Sequence, residues 1–231
     1  MLKELKDRVF KANTGLVSHG LVIHTWGNAS GRDPETGLIV IKPSGVSYND
    51  MRPGDMVVMD IEGSVVEGDY RPSTDSPTHL FLYKTFEKIG GVVHTHSTYA
   101  TSWAQAGKAI PPFGTTHADH YYGEVPCTRM LTGAEIENDY ELNTGKVIAE
   151  TFSSIDPIAV PSVLVNSHGP FCWGKDPESA VYNAVALEEI ARMAFYSLML
   201  GRTEPVKNDL LLKHHSRKHG KDAYYGQGDK K

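Results

Sequence analysis

Eleven histidines occur among 231 residues, and most of them gather at 94/96, 117/120 and 214/215/219. The most informative group lies in Gly90-Gly91-Val92-Val93-His94-Thr95-His96-Ser97, which reads as a β-strand. Strand side chains alternate between faces, so His94 and His96 point together while Val93 and Thr95 point away. Two residues of strand span roughly 7 Å, and imidazoles leaning together from that spacing can share a metal at Zn–N distances of about 2.0–2.1 Å. His168 follows a second strand-like run, Ser162–Asn166. Three protein ligands leave one coordination position open for a substrate, which is the arrangement of a catalytic metal. Asp75, on a loop before a helix, can add a carboxylate. Each of these residues alone also suits a hydrogen-bonded side chain at a strand end. Their combination is what points to metal chemistry.

Two segments have the character of anion sites. Lys42-Pro43-Ser44-Gly45 offers an ammonium, a hydroxyl and unhindered backbone amides in one turn. Ser73-Thr74 stands at a helix entrance, where free N–H groups and the helix dipole favour negative charge. Taken singly, Pro-Ser-Gly is an ordinary turn and Ser-Thr an ordinary cap.

The elements that must position these groups follow from periodicity. Leu2, Leu5, Val9, Ala12 and Leu16 recur at helical spacing, predicting a helix over 2–18 that stops at Gly20. Thr25–Ser30 reads as a polar turn. Leu38–Ile41 and Met56–Ile61 read as strands, the latter turning through Glu62-Gly63 into Val65-Val66. Ser76-Pro77 predicts a helix N-cap and first residue, with the helix running to about Lys88 and Gly90-Gly91 ending it. Helices are expected over 98–106, after the Thr132–Glu135 capping box and over Thr144–Phe152. Asp176-Pro177-Glu178 caps the clearest helix, to about Leu200, with Val181, Val185, Ile190, Ala194 and Leu198 inward. From Asn208 onward only Leu210–Leu212 looks core-forming. The expected fold class is α/β: one domain spanning 1–231, with a central mixed, mostly antiparallel β-sheet flanked by α-helices.

Composition excludes several function classes. The formal net charge of -5 and the interspersed charges give no nucleic-acid or membrane-surface footprint, the basic run Lys213–Lys221 apart. No apolar run approaches the ~20 residues of a membrane span, and the N-terminus has no signal-peptide pattern. Two cysteines, Cys127 and Cys172, give no disulfide framework and suit a cytoplasmic protein.

The motifs also form a set: Thr25-Trp26-Gly27-Asn28, Ile41–Val46, Pro72–His79, Gly91–Ser97, Gly114–Asp119, Ser167–Phe171 and Arg217–Gln227. As a set they resemble the class II aldolase and epimerase family nearly end to end, its epimerases more than its aldolases. The resemblance implies that His94, His96 and His168 bind a divalent metal, usually zinc, with manganese or another divalent ion open. It implies Asp75 as a further ligand, and Asn28, Lys42, Ser44, Gly45, Ser73 and Thr74 as holders of a substrate phosphate. It implies Asp119 and Tyr225 as an acid/base pair, with His214 and Arg217 near the substrate from a neighbouring subunit. The expected assembly is a homotetramer with sites between subunits, the tail 208–231 packing on a neighbour. The expected reaction is retro-aldol chemistry on a small sugar phosphate. Thr74 stands where the family usually has serine and keeps the hydroxyl. The nearest rival is an aldolase of the same family, in which the resemblance places glutamate at the position of Asp75. A purely structural assembly domain would need no metal ligands. A zinc hydrolase would carry a further Asp-His pair after His-x-His, and a cupin would lack the long helices.

Overall fold

The apolar triplets Ile39–Ile41 (β2) and Val57–Met59 (β3) are buried at every position and pair antiparallel. A computed structural model describes residues 2–219 and 223–224 and extends this pair into one seven-stranded sheet. The other strands are Gly27–Arg32 (β1), Val65–Glu67 (β4), Gly91–Thr95 (β5), Ser162–Val165 (β6) and Gly169–Gly174 (β7), ordered β4-β3-β2-β1-β5-β7-β6. Every pairing between these strands is antiparallel. A parallel pairing appears as an isolated bridge, Cys127 with Leu164.

The helices are Lys3–Ser18 (α1), Ser76–Thr85 (α2), Thr98–Gln105 (α3), Thr115–Ala118 (α4), Gly133–Glu137 (α5), Tyr140–Thr151 (α6), Pro177–Met199 (α7) and Asn208–His219 (α8). Helix α1 buries Leu5, Val9, Ala12 and Leu16 against β1, as their spacing requires. Helices α2 and α6 pack together, while α7 lies along β5 and β7. The approach of α7 is close: a Cβ on Gly91 would sit 2.3 Å from the Asp176 carbonyl oxygen, and one on Gly174 2.6 Å from Ser179. Gly90-Gly91 therefore serves chain packing, letting the start of α7 approach β5. On α7, Ala180, Val181, Ala184, Leu187, Ile190, Ala191 and Ala194 face the core.

Several expectations are corrected. Thr25–Ser30 is not simply a turn, because strand β1 begins at Gly27. Its buried polar residues have fixed partners: Asn28 Nδ2 donates to Asp75, and Ser30 Oγ lies 2.8 Å from His79 Nδ1, while Asn13 bonds both backbone groups of Ala29 between them. The stretch Gly169–Gly174 after His168 is strand β7, which had no alternation to reveal it. Helix α2 ends at Thr85, short of Lys88, and Asp75 takes the N-cap position without a side-chain cap bond. Leu198 is 42% exposed, so the apolar stripe of α7 ends before it. From Asn208 the chain forms α8, which packs against α4 of its own chain with one buried apolar residue, Leu211.

Candidate active site

Strand β5 carries His94 on its last turn of pleat, and His96 follows just past its end. His168 sits in the tight β6–β7 turn, after Ser167 in the left-handed region at φ 62°. Because β7 pairs with β5, with His94 opposite Phe171, that turn lies beside the two strand histidines. One ring nitrogen from each of His94, His96 and His168 falls within 4.8 Å of the other two. The His94 ring stacks on Phe171 at 4.2 Å, which fixes its plane.

The donor set fits a divalent metal. His94 Nδ1 lies 3.0 Å from the Pro170 carbonyl oxygen. A carbonyl can only accept, so Nδ1 bears the proton and Nε2 keeps its lone pair. The Nε2 atoms of His94 and His96 face each other at 3.1 Å, near the ~3.3 Å between two ligands of a tetrahedral zinc with bonds of about 2.0–2.1 Å. Burial pushes all three imidazoles down, His168 to about 3, so their neutral, ligating forms dominate at pH 7. His168 Nδ1 is 3.3 Å from the Tyr140 hydroxyl. Asp75 accepts from Asn28 Nδ2 at 2.7 Å. Burial pushes its carboxyl up, but the surrounding imidazoles and the Asn28 amide outweigh that and hold it below its ordinary value.

The same cavity, about 520 Å³, is lined by Asn28, Lys42, Ser44, Gly45, Ser73, Thr74, Asp75, His94, His96 and His168. That volume is typical of small-molecule sites. Its two anion segments are stitched together: Ser44 N–H donates to the Arg71 carbonyl, and Ser73 N–H to the Lys42 carbonyl. Lys42 is 2% exposed. Its ammonium donates to the Pro43 and Val46 carbonyls at 3.2 and 2.8 Å and lies over the Tyr48 ring. Among the described residues it pairs with no carboxylate. Burial lowers its pKa to about 8, which leaves it mostly charged at pH 7. A buried cation without a counter-charge favours an anionic ligand.

Asp119 lies elsewhere. It lines a separate cavity with His120, Lys218 and His219, and α8 covers it. Arg217 donates from Nε and Nη2 at 3.0 and 2.6 Å, His214 Nδ1 lies at 3.0 Å, and Lys218 Nζ at 3.8 Å. Burial pushes the carboxyl up, but these partners prevail and hold it below its ordinary value. His214 and Arg217 therefore contact Asp119 of their own chain and do not line the histidine cavity. Tyr225 lies outside the described residues.

The model of the family described as class II aldolase and adducin N-terminal domain matches residues 7–195. The chain belongs to that family. An L-ribulose-5-phosphate 4-epimerase (UlaF) of Salmonella paratyphi B is 56% identical over 98% of this chain and 100% of its own length. The protein of the same name from Salmonella typhi is also 56% identical over the same shares. Among solved structures, an L-fuculose 1-phosphate aldolase superposes with TM-score 0.79 at 26% identity, covering 93% of this chain and 95% of its own.

Within this class II aldolase chain, sequence reasoning passed over three site residues. Trp26 forms part of the cavity wall. Tyr140 reaches His168 from α6, and nothing in its local sequence signals that. His79 lies one helical turn after Asp75 on α2, and that i, i+4 spacing was the available clue.

Proposed function

We propose that this chain interconverts L-ribulose 5-phosphate and D-xylulose 5-phosphate, epimerising C4 by cleaving and remaking the C3–C4 bond. The observation that carries this reading is the single cavity shared by three converging imidazoles and a buried ammonium that pairs with no carboxylate among the described residues. The full-length likeness to L-ribulose-5-phosphate 4-epimerases supports the choice of substrate.

The substrate's own chemistry dictates the route. The C4 hydrogen is not α to the C2 ketone, so direct deprotonation at C4 has no stabilised carbanion. Loss of the O4 proton instead lets the C3–C4 electron pair pass into the C2 carbonyl, leaving the enediolate of dihydroxyacetone and free glycolaldehyde phosphate. His94, His96 and His168, with Asp75 beside them, would hold a divalent metal, zinc or manganese being suited to that set. When bound, it supplies Lewis-acid stabilisation of the charge on the three-carbon fragment. Lys42, Ser44, Gly45, Ser73, Thr74 and Asn28 hold the phosphate, so the aldehyde can turn over without leaving. Re-addition to its other face inverts C4. One group must take the O4 proton on cleavage and another return it on the opposite face, and we assign these roles to Asp119 and Tyr225. Aspartate and tyrosine have reference pKa values near 3.9 and 10, so both need tuning by their surroundings to act near neutrality.

Because Asp119 lies outside the histidine cavity of its own chain, the reading includes a homotetramer in which Asp119, His214, Arg217 and the tail serve a neighbour's cavity. It also includes a single domain over 1–231 and a cytoplasmic location. Incubating metal-loaded protein with L-ribulose 5-phosphate, with and without chelator, tests the reaction. Chelator-sensitive formation of D-xylulose 5-phosphate is expected. Accumulation of dihydroxyacetone and glycolaldehyde phosphate would make it an aldolase instead.

A further inference from the structure

Two of the three imidazoles depend on one short helix. His96 directly precedes Ser97, the N-cap of α3, so the direction in which α3 leaves β5 decides where the His96 ring stands. At the other end of α3 the Ala104 carbonyl accepts the Ser167 N–H at 2.9 Å. Ser167 is held in the left-handed region at φ 62°, and His168 is the next residue. Helix α3 therefore bridges the two histidines that lie outside the strands.

What holds α3 in place comes from α7. The first amides of a helix have no partner within it, and the Ser97 side chain makes no cap bond to them. Glu188, near the middle of α7, takes two of these amides. Its Oε1 accepts the Tyr99 N–H at 2.8 Å, and its Oε2 accepts the Ala100 N–H at 2.9 Å. A carboxylate at that end also suits the helix dipole. Glu188 is partly buried and forms no ion pair among the described residues, so both its oxygens are given to α3. Further along α3, Trp103 Nε1 donates to the Ala191 carbonyl at 3.0 Å, less than one turn of α7 beyond Glu188. Capping α3 alone would need no more than a serine or aspartate bonding from position 97. Glu188 instead fastens α3 to the helix that packs along β5 and β7.

We propose that Glu188 is a positioning residue for the metal site. By fixing the first turn of α3 against α7, it sets the place of His96 directly and that of His168 through Ala104 and Ser167. It acts through the backbone and has no part in the chemistry itself. This inference rests on the reading of the histidine cluster as a metal centre.

The test is competition for Zn2+ between a chromophoric chelator and the metal-free full-length protein. The visible spectrum of the Co2+-loaded protein and the melting temperature are measured beside it. Glu188→Ala removes both bonds and should bind zinc about 10-fold more weakly, the low end of what losing an outer-shell support costs. The cobalt bands, which follow ligand geometry, should shift with it. Asp176→Ala is the matched control. It removes the side-chain cap of α7, where Asp176 accepts the Ser179 N–H at 2.8 Å, about 18 Å along the helix from Glu188. That variant should lower the melting temperature and leave zinc affinity and the cobalt spectrum unchanged. A Glu188→Ala protein that melts lower with unaltered zinc affinity and cobalt spectrum would reduce Glu188 to a helix cap and overturn the proposal. An equal loss of zinc affinity in Asp176→Ala would overturn it too, by making the effect one of global stability. Should Glu188→Ala fail to fold, Glu188→Gln serves, since it keeps an oxygen for one amide and turns an NH2 toward the other. Weaker zinc binding is then expected, and unchanged binding overturns the proposal. No zinc binding by the unmodified protein would remove the metal reading itself, and this inference with it.

Discussion

The cavity around His94 and the cluster around Asp119 are both made of histidines and a carboxylate, yet they are in opposite electrostatic states. Around His94 the imidazoles are kept neutral by burial, their lone pairs converge, and Lys42 stands nearby with no carboxylate partner among the described residues. Around Asp119 the carboxylate is saturated by Arg217, His214 and Lys218. The first region is arranged to receive a cation and an anion. The second is internally neutralised, and one chain alone gives its carboxylate no access to the first. Under the proposed function, a neighbouring subunit would bring the Asp119 cluster to the histidine cavity.

The largest expected effect comes from emptying the first region. His96→Asn should lose metal and activity together, with turnover down by roughly 10³-fold or more, checked by metal analysis beside the rate. Full activity in a metal-free variant would remove the Lewis-acid role. Next come Asp119→Asn and Tyr225→Phe, which should keep normal metal content while turnover falls about 10²–10⁴-fold. An unchanged rate would return either residue to structure. Lys42→Met should act mainly on KM, raising it by roughly 10–100-fold, since hydrogen bonds to charged groups contribute about 1.5–3 kcal/mol. A change confined to kcat would contradict a phosphate-holding role.

The smallest effect concerns His117, between the two regions in sequence and in neither site. Its Nε2 donates to the Gly123 carbonyl at 2.7 Å, and burial pushes its pKa down to about 4. The unfolded chain binds a proton near pH 6.5 and the folded one does not, so stability falls as pH drops from about 6.5 toward 4. At pH 5 the loss is about 2 kcal/mol. His117→Gln, which keeps the donor to Gly123, should flatten that part of the stability profile. An unaltered profile in chemical denaturation would show that other groups set it.

How much of this was legible in the sequence differs between the same two regions. His94-x-His96 could be read because alternation in a strand fixes side-chain direction without tertiary information. Lys42-Pro43-Ser44-Gly45 and Ser73-Thr74 could be read as anion-type turns, although their stitching through Ser44 and Ser73 needed the fold. Strand β1 could not be read, because Gly27–Arg32 is buried through specific polar partners rather than apolar alternation. Helix α8 was missed for a related reason: it is held chiefly by Asp119, with Leu211 its one buried apolar residue. Sequence periodicity reports apolar burial, and it says little where salt bridges and buried amides do the positioning.

The central claim, that the two regions complete each other across subunits, is tested most directly by mixing. His96→Asn chains and Asp119→Asn chains, each nearly inactive alone, are unfolded together, refolded with metal and assayed. If each site joins the histidine cavity of one chain to Asp119 of a neighbour, an equal random mixture regains about a quarter of normal activity. Hybrid oligomers that form and yet recover no activity would show that both residues act within one chain.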